Sequence, residues 1–305
     1  MMSHLPKWKS DSADSAVGLP VRRASAKRRA SRSSAPSGQR PDFRLWNAEE
    51  FIAQLHEIGA RAYHDKHPFH VGMNEGRLSP EQLRGWIANR FYYQRNIPRK
   101  DAAIIANCPL REVRRVWIHR ITDHDGDATK DGGIEAWLRL GEAAGLTRDE
   151  LLQDRHVVPG TRFAVNAYVN FARTQPWPVA IASSLTELFA PDLMAARLAA
   201  FEKFYPWIDA AGLDYFRRRL TQARRDSDEA LAMTVDHCNT PELQREAVRA
   251  LEFKCDVLWS LLDSIHHAYG APSLQSSPWR RDEDASAPGE GQLPKPRYAR
   301  EINDR

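Results

Sequence analysis

A chain of 305 residues, 42% of them hydrophobic, can bury a substantial core as one large domain or two smaller ones. The formal charge of +4 is small for that length and much of the basic excess lies between Arg22 and Arg40, so nucleic-acid binding by the whole protein is not implied. No run of about 18 apolar residues stands out, which speaks against a membrane partner; Cys108, Cys238 and Cys255 are an odd number without CxxC spacing, which speaks against a disulfide framework or structural zinc and fits a reducing cytoplasm.

Residues 1–42 are rich in Arg, Ser and Ala, lack an apolar signal-peptide core and read as a disordered basic tail, although an organelle transit peptide shares that composition. From Phe43 onward the punctuation is helical. Asn47 and Glu50 have capping-box spacing, Ser79-Pro80-Glu81-Gln82 joins an N-cap, an N1 proline and an N3 glutamine, and Thr147 to Glu150 repeats the pattern. Further stops and starts fall at Gly132-Gly133, Gly145, Pro159-Gly160, Trp177-Pro178 and Ala190-Pro191, and Thr240-Pro241 opens a long helix that Gly270 can close. No Val/Ile/Thr-rich run alternates with period two. The reading is an all-α bundle of about seven or more helices, a single domain over 43–272, followed by a polar Ser/Pro/Gly-containing tail over 273–305.

Several polar residues sit on faces that otherwise point into a core. Arg120 and His124 lie on the stripe of Val113, Trp117 and Ile121; Arg90 and Gln94 follow Leu83 and Ile87; Tyr215 and Arg219 are i and i+4; Lys254 lies among Leu251, Val257, Leu258 and Leu261. Singly, each has an ordinary explanation: Arg90 snorkels to the surface, Arg217 to Arg219 form an exposed basic run, and Lys254 edges an amphipathic helix. Four helices making the same exception point instead to a polar cavity. A ligand with several carboxylates is the economical partner for Arg90, Arg120, Arg219 and Lys254, because guanidinium forks bind carboxylates bidentately.

Two metal readings are weak. In Asp123-His124-Asp125-Gly126-Asp127 the glycine is fourth rather than sixth and the twelfth position is Ile134, so this is no EF-hand but a helix end with a polar turn. His64, His67 and His70 form HxxHxxH, yet Pro68 interrupts any common helical face. The Glu-x-x-His signature of di-iron bundles is missing too, since Ala190 stands three residues after Glu187.

The chain resembles the pyrroloquinoline-quinone biosynthesis protein C family from Phe51 to Tyr269. The blocks that carry this are Tyr63-His64 with His67-Pro68-Phe69-His70, Asn89 to Gln94, Ile97-Pro98 with Lys100 to Ala103, Asp123 to Gly126, Asp131 to Glu135 with Trp137-Leu138, Ser183 to Pro191, and Phe253-Lys254 with Leu258-Trp259. The resemblance implies a seven-helix, heme-oxygenase-like bundle that forms a homodimer and uses neither metal nor organic cofactor. It implies a tricarboxylated amino-dioxo-hexahydroquinoline as substrate, closed and oxidised by eight electrons with O2, giving pyrroloquinoline quinone and H2O2, with the product itself as a ligand the site can hold. Carried over, the family's site falls on Tyr63, His64, Arg90, Tyr93, Gln94, Arg120, His124, Tyr168, Thr186, Glu187, Arg197, Tyr215, Arg219 and Lys254. Met194 stands where the family pattern has a histidine, which removes one proton-carrying position.

Metal-free oxidation is feasible when deprotonation first makes an electron-rich enolate or quinol that reduces dioxygen directly. His124 and His64 are the expected bases, Arg90, Arg120 and Lys254 the carboxylate holders, and Tyr215 and Arg219 the groups that steady reduced oxygen. The alternatives are a quinone carrier, which needs the arginines but not His124, a bundle metallo-oxygenase, and a thiaminase-like hydrolase, which needs a cysteine in the cavity.

Overall fold

The computed structural model describes residues 44–270, and the two expected tails, 1–42 and 273–305, lie outside the described residues. Among the described residues the chain forms eleven α-helices: α1 (Ala48–Ala62), α2 (Pro68–Asn74), α3 (Pro80–Asn107), α4 (Arg111–Asp125), α5 (Gly133–Ala143), α6 (Arg148–Leu152), α7 (Pro159–Thr174), α8 (Trp177–Ala182), α9 (Ala190–Phe204), α10 (Asp214–His237) and α11 (Pro241–Tyr269). Short 3-10 turns cover His64–Lys66, Leu185–Phe189 and Ala210–Leu213, and the extended pairing present is one isolated bridge between Gly126 and Asp131. The all-α reading holds, and the helix starts fall where local chemistry puts them. All three expected capping boxes form with both reciprocal hydrogen bonds, at Asn47, Ser79 and Thr147.

Helix α3 is the central strut. It packs on α4, α5 and α7, and every residue from Gly85 to Gln94 is buried, so this stretch has no solvent face, while Arg99, Ala102 and Ala106 are exposed further along. Helix α11 packs on α1, α7 and α8, and α10 on α8 and α9. One apolar cluster gathers Trp86, Trp137, Phe201 and Phe216 with Tyr93, Tyr168 and Leu258; a second gathers Phe51, Leu55, Trp117, Ile181 and Leu251. Pro98 lies inside α3, where its missing N–H leaves the carbonyl four residues back, at Gln94, without the usual helical donor.

One expectation is corrected. Trp177–Phe204 is long and apolar enough by composition to cross a membrane, although no such run was read in the sequence. The structure breaks it into α8, the 3-10 turn and α9, buries more than half of its most apolar window, and places Glu187 and the buried Arg197 within it. An average over apolar residues hides these two charges, and they are what tie the segment to the site.

Candidate active site

A cavity lies between α3, α4, α7, α9, α10 and α11, and the 3-10 turns that hold His64 and Glu187 also line it. Eleven of the fourteen expected site residues line it: Tyr63, His64, Arg90, Tyr93, Gln94, His124, Tyr168, Thr186, Glu187, Tyr215 and Arg219. The other three stand one layer back: Arg120 touches Glu187, Lys254 touches Tyr93, and Arg197 touches His70, whose ring lies against His64.

On the α4–α10 side every guanidinium has a carboxylate. Arg120 donates to Glu187 Oε2 at 2.7 Å and to the Asp226 carbonyl at 2.5 Å while lying 4.0 Å over the Trp117 ring. Arg219 donates to Asp226 Oδ2 at 3.0 Å and lies 3.6 Å from Glu187 Oε1. Burial alone would lift the Asp226 carboxyl, but Arg120 and Arg219 outweigh it and hold the group below its ordinary range. Arg120, expected to anchor a ligand carboxylate directly, is therefore engaged with Glu187 and acts on the cavity through it.

The α3–α9–α11 side is different. Arg90 lies 4.2 Å over the Tyr93 ring, and its Nε and Nη1 are buried without a hydrogen-bond partner. Lys254 Nζ is 2.5 Å from Tyr93 Oη and 3.6 Å over the Tyr168 ring. Arg197 donates to His70 Nε2 at 3.2 Å, stacks 4.9 Å over Trp86, and has an unpartnered Nε. Among the described residues none of these three groups has a carboxylate within ion-pair distance. Burial pushes Lys254 well below its ordinary range, with Lys100 and Arg90 adding to the effect, and burial followed by Arg90 brings Arg197 down to about 9.

Two histidines, His64 and His124, face the cavity. His124 closes α4, which stops at Gly126 with φ +83°; a Cβ on Gly132 would meet the His124 carbonyl oxygen at 2.3 Å, so the chain can fold back beneath His124 only with glycine there. In its neutral form His124 donates from Nδ1 to the Arg120 carbonyl at 2.9 Å, an assignment made from that bond, and so keeps the Nε2 lone pair free. Burial first and Arg219 second make His124 hard to protonate; burial, Arg90, Arg197 and Lys254 do the same, more strongly, to His64.

The HxxHxxH string is divided among separate partners. His67 accepts from the Phe69 N–H through Nδ1, capping α2, and meets Asp263 at 3.0 Å through Nε2; His70 donates to the His64 carbonyl at 3.0 Å. The aspartates after His124 form the expected helix end and turn, with Asp127 accepting from the Thr129 and Lys130 N–H groups. The cysteine required of a hydrolase is elsewhere: all three cysteines lie buried in the second core cluster, away from the cavity, and burial pushes the Cys255 thiol up to about 11.

Lys100 and Ser184 line the cavity without having been assigned a place there. The signal existed in the register of α3, since the i+3 and i+4 steps that join Arg90, Tyr93 and Ile97 continue to Lys100. Met194 also faces the cavity, from α9.

The TENA/THI-4/PQQC family profile matches residues 52–264. A protein from Pseudomonas aeruginosa (strain LESB58) named pyrroloquinoline-quinone synthase is 59% identical over 220 residues, 72% of this chain and 88% of its own. A protein of the same name from Cronobacter sakazakii is 56% identical over 226 residues, 74% of this chain and 90% of its own. A solved domain with a heme oxygenase-like fold from Shewanella denitrificans superposes with TM-score 0.59 at 13% identity, over 73% of this chain and 91% of that one. A TenA homolog from Pseudomonas syringae pv. tomato gives TM-score 0.58 at 16% identity, over 72% of this chain and 92% of that one. The fold is therefore heme-oxygenase-like, and the chain belongs to the TENA/THI-4/PQQC family.

Proposed function

We propose that this chain is an oxidase that catalyses the last step in making pyrroloquinoline quinone: ring closure and eight-electron oxidation of a tricarboxylated amino-dioxo-hexahydroquinoline by O2, with release of H2O2. Relatives at 56–59% identity carry the name of that activity. The observation in the structure that supports it best is the charge imbalance of the cavity. Arg90, Arg197 and Lys254 are buried basic groups without a carboxylate, and the substrate has three carboxylates to offer. Burying such groups unpaired is costly, so the site is built to be completed by a polyanion.

In this reading Arg90 takes one carboxylate with its free Nε and Nη1, Arg197 completes the anion-binding side, and Lys254 joins it once it is protonated. Tyr63, Tyr93, Gln94, Tyr168 and Thr186 offer hydrogen bonds to ring oxygens. Burial keeps the phenols of Tyr63, Tyr93 and Tyr168 protonated, so each is a donor. His124 and His64 are neutral and able to take protons from acidic C–H and N–H positions, which makes the electron-rich anion that gives electrons to O2. Tyr215 and Arg219 stand beside His124 to steady superoxide or peroxide, with Asp226 and Glu187 fixing Arg219 in place.

The reading carries further expectations: no metal or organic cofactor, a homodimer, and a cytoplasmic setting in which Cys108, Cys238 and Cys255 remain free thiols. The test is to mix protein and substrate without oxygen and then admit an oxygen pulse. Quinone absorbance together with peroxide supports the assignment; ligand binding without either makes the protein a carrier. Dialysis against a chelator should leave the rate unchanged, and sedimentation should give twice the chain mass.

A further inference from the structure

Lys100 has no part in the chemistry set out above, yet it is a cation in the wall of the cavity with 1% of its surface exposed. Its Nζ donates to Asp101 Oδ1 at 2.5 Å and to Ser184 Oγ at 3.0 Å, and Asp101 Oδ1 also accepts from Trp117 Nε1 at 2.9 Å. These tethers fix the ammonium over the Tyr168 ring, 5.5 Å from its centroid, and Lys254 Nζ shares the same ring at 3.6 Å. One lysine has a carboxylate and the other does not.

We infer that Lys100 is a positioning residue for the reaction: ion-paired with Asp101 and sharing the Tyr168 ring with Lys254, it keeps Lys254 a neutral amine that accepts a proton from the substrate. That Lys254 meets substrate rests on the function proposed above; that Lys100 sets its charge state does not.

The neighbours of Lys254 agree. From α3 it faces Arg90, Lys100 and Tyr93, from α7 Tyr168, from the 3-10 turns Glu187 and His64, and on its own helix Cys255. Glu187 would favour an ammonium, but it is committed to Arg120 and Arg219. The Cys255 thiol, pushed up to about 11 by burial, carries no charge at neutral pH. Tyr93 is kept protonated by burial, so beside a free amine its O–H donates to Nζ. Two ammonium groups over one ring in a desolvated site repel, and the one without a carboxylate gives up its proton first. In the proton transfer, a C–H or N–H bond of the substrate breaks, its electron pair stays on the substrate as an enolate or amide anion, and the proton forms an N–H bond at Nζ. The new ammonium then pairs with that anion, and no oxidant is needed for this step.

The test uses the full chain labelled with 13C at the lysine Cε positions, with the Lys254 signal assigned through Lys254→Arg. In the parent, Lys254 should titrate clearly below the surface lysines. In Lys100→Met/Asp101→Asn, which removes both charges and leaves Trp117 an oxygen to donate to, the midpoint should rise, and Lys100→Arg should keep it low. Lys254 titrating with the surface lysines in the parent overturns the inference, and that measurement needs no variant to fold. An unmoved midpoint in the folded double variant, or in Ser184→Ala, which releases one tether, also overturns it. In turnover, the acid limb of kcat/KM for quinone formation should move to higher pH in the double variant; a raised KM with an unmoved limb would make Lys100 a binding residue instead. If the titrations hold but the parent makes no quinone, it is the proposed function that fails.

Discussion

The two sides of the cavity are built from the same kinds of side chains in opposite electrostatic states. On the α4–α10 side Arg120 and Arg219 are ion-paired with Glu187 and Asp226, four charges that hold one another within 2.7 to 3.6 Å, although Arg120 Nε has no partner of its own. On the α3–α9–α11 side Arg90, Arg197 and Lys254 touch only rings, a phenol and an imidazole. The first side carries its own counter-charges; the second has basic groups and no carboxylate beside them. A buried cation thus has a different job according to whether its counter-charge belongs to the protein or to the ligand.

The sharpest way to break this comparison is to remove one cation from each side. Arg120→Met takes from Glu187 its nearest cation and from the Asp226 carbonyl its donor, and losing one partner of a buried pair costs about 3–5 kcal/mol, so thermal unfolding should fall by on the order of 10 °C. Arg90→Met orphans no carboxylate. Its unfolding temperature should hold or rise, while affinity for pyrroloquinoline quinone, measured by absorbance titration, should drop about 10- to 100-fold, the worth of one charge-assisted bond. Equal loss of stability in both variants would show that the two sides do not differ as argued.

Acid should separate them next. His64, His70 and His124 are each harder to protonate in the fold than the ordinary value near 6.5, chiefly through burial. Below that value the unfolded chain binds more protons than the folded one. Their full contribution to stability is therefore present above about pH 6.5 and is lost as pH falls toward their folded values, by up to about 1.4 kcal/mol per pH unit for each ring. Asp226, held below its ordinary range by Arg120 and Arg219, adds a loss only under about pH 4. Bound tricarboxylate should flatten the slope near pH 6, because its charge makes the histidines easier to protonate; denaturant melts with and without ligand at pH 5.5 and 7.5 measure this.

What could be read in the sequence follows from how far apart the deciding residues are. The capping boxes at Asn47, Ser79 and Thr147 act within one turn, and all of them form. The stripes that carry Arg90 and Gln94, Arg120 and His124, or Tyr215 and Arg219 repeat within a single helix, and they bring their residues to the site. The charge pairing was not legible, because Arg120 and Glu187 are 67 residues apart and Lys100 and Ser184 are 84 apart. The packing of α8, the 3-10 turn and α9 onto the other helices brings Glu187 to Arg120 and Ser184 to Lys100, whereas Arg219 with Asp226 and Lys100 with Asp101 pair within α10 and α3. The same packing hides the apolar length of Trp177–Phe204, and it directs Cys255, one residue after Lys254, into the second core rather than the cavity.

The smallest expected effect concerns Met194, which faces the cavity from α9 one helical turn before Arg197, on the α3–α9–α11 side. A thioether there neither donates nor accepts protons, so the proton steps assigned to His124 and His64 have to suffice without a third ring. Met194→His inserts an imidazole of smaller bulk beside Arg197, where desolvation and the cations hold it neutral, and the cost in stability should stay under about 1.5 kcal/mol. Turnover at pH 7.5 should remain within several-fold of the parent, and the change should show as an added limb in the pH profile of kcat near or below pH 6. A tenfold or greater gain in kcat would mean that His124 and His64 leave one proton step uncatalysed in the parent. The α3–α9–α11 side would then lack a base as well as its anions, and its chemistry could not be deduced from charge alone.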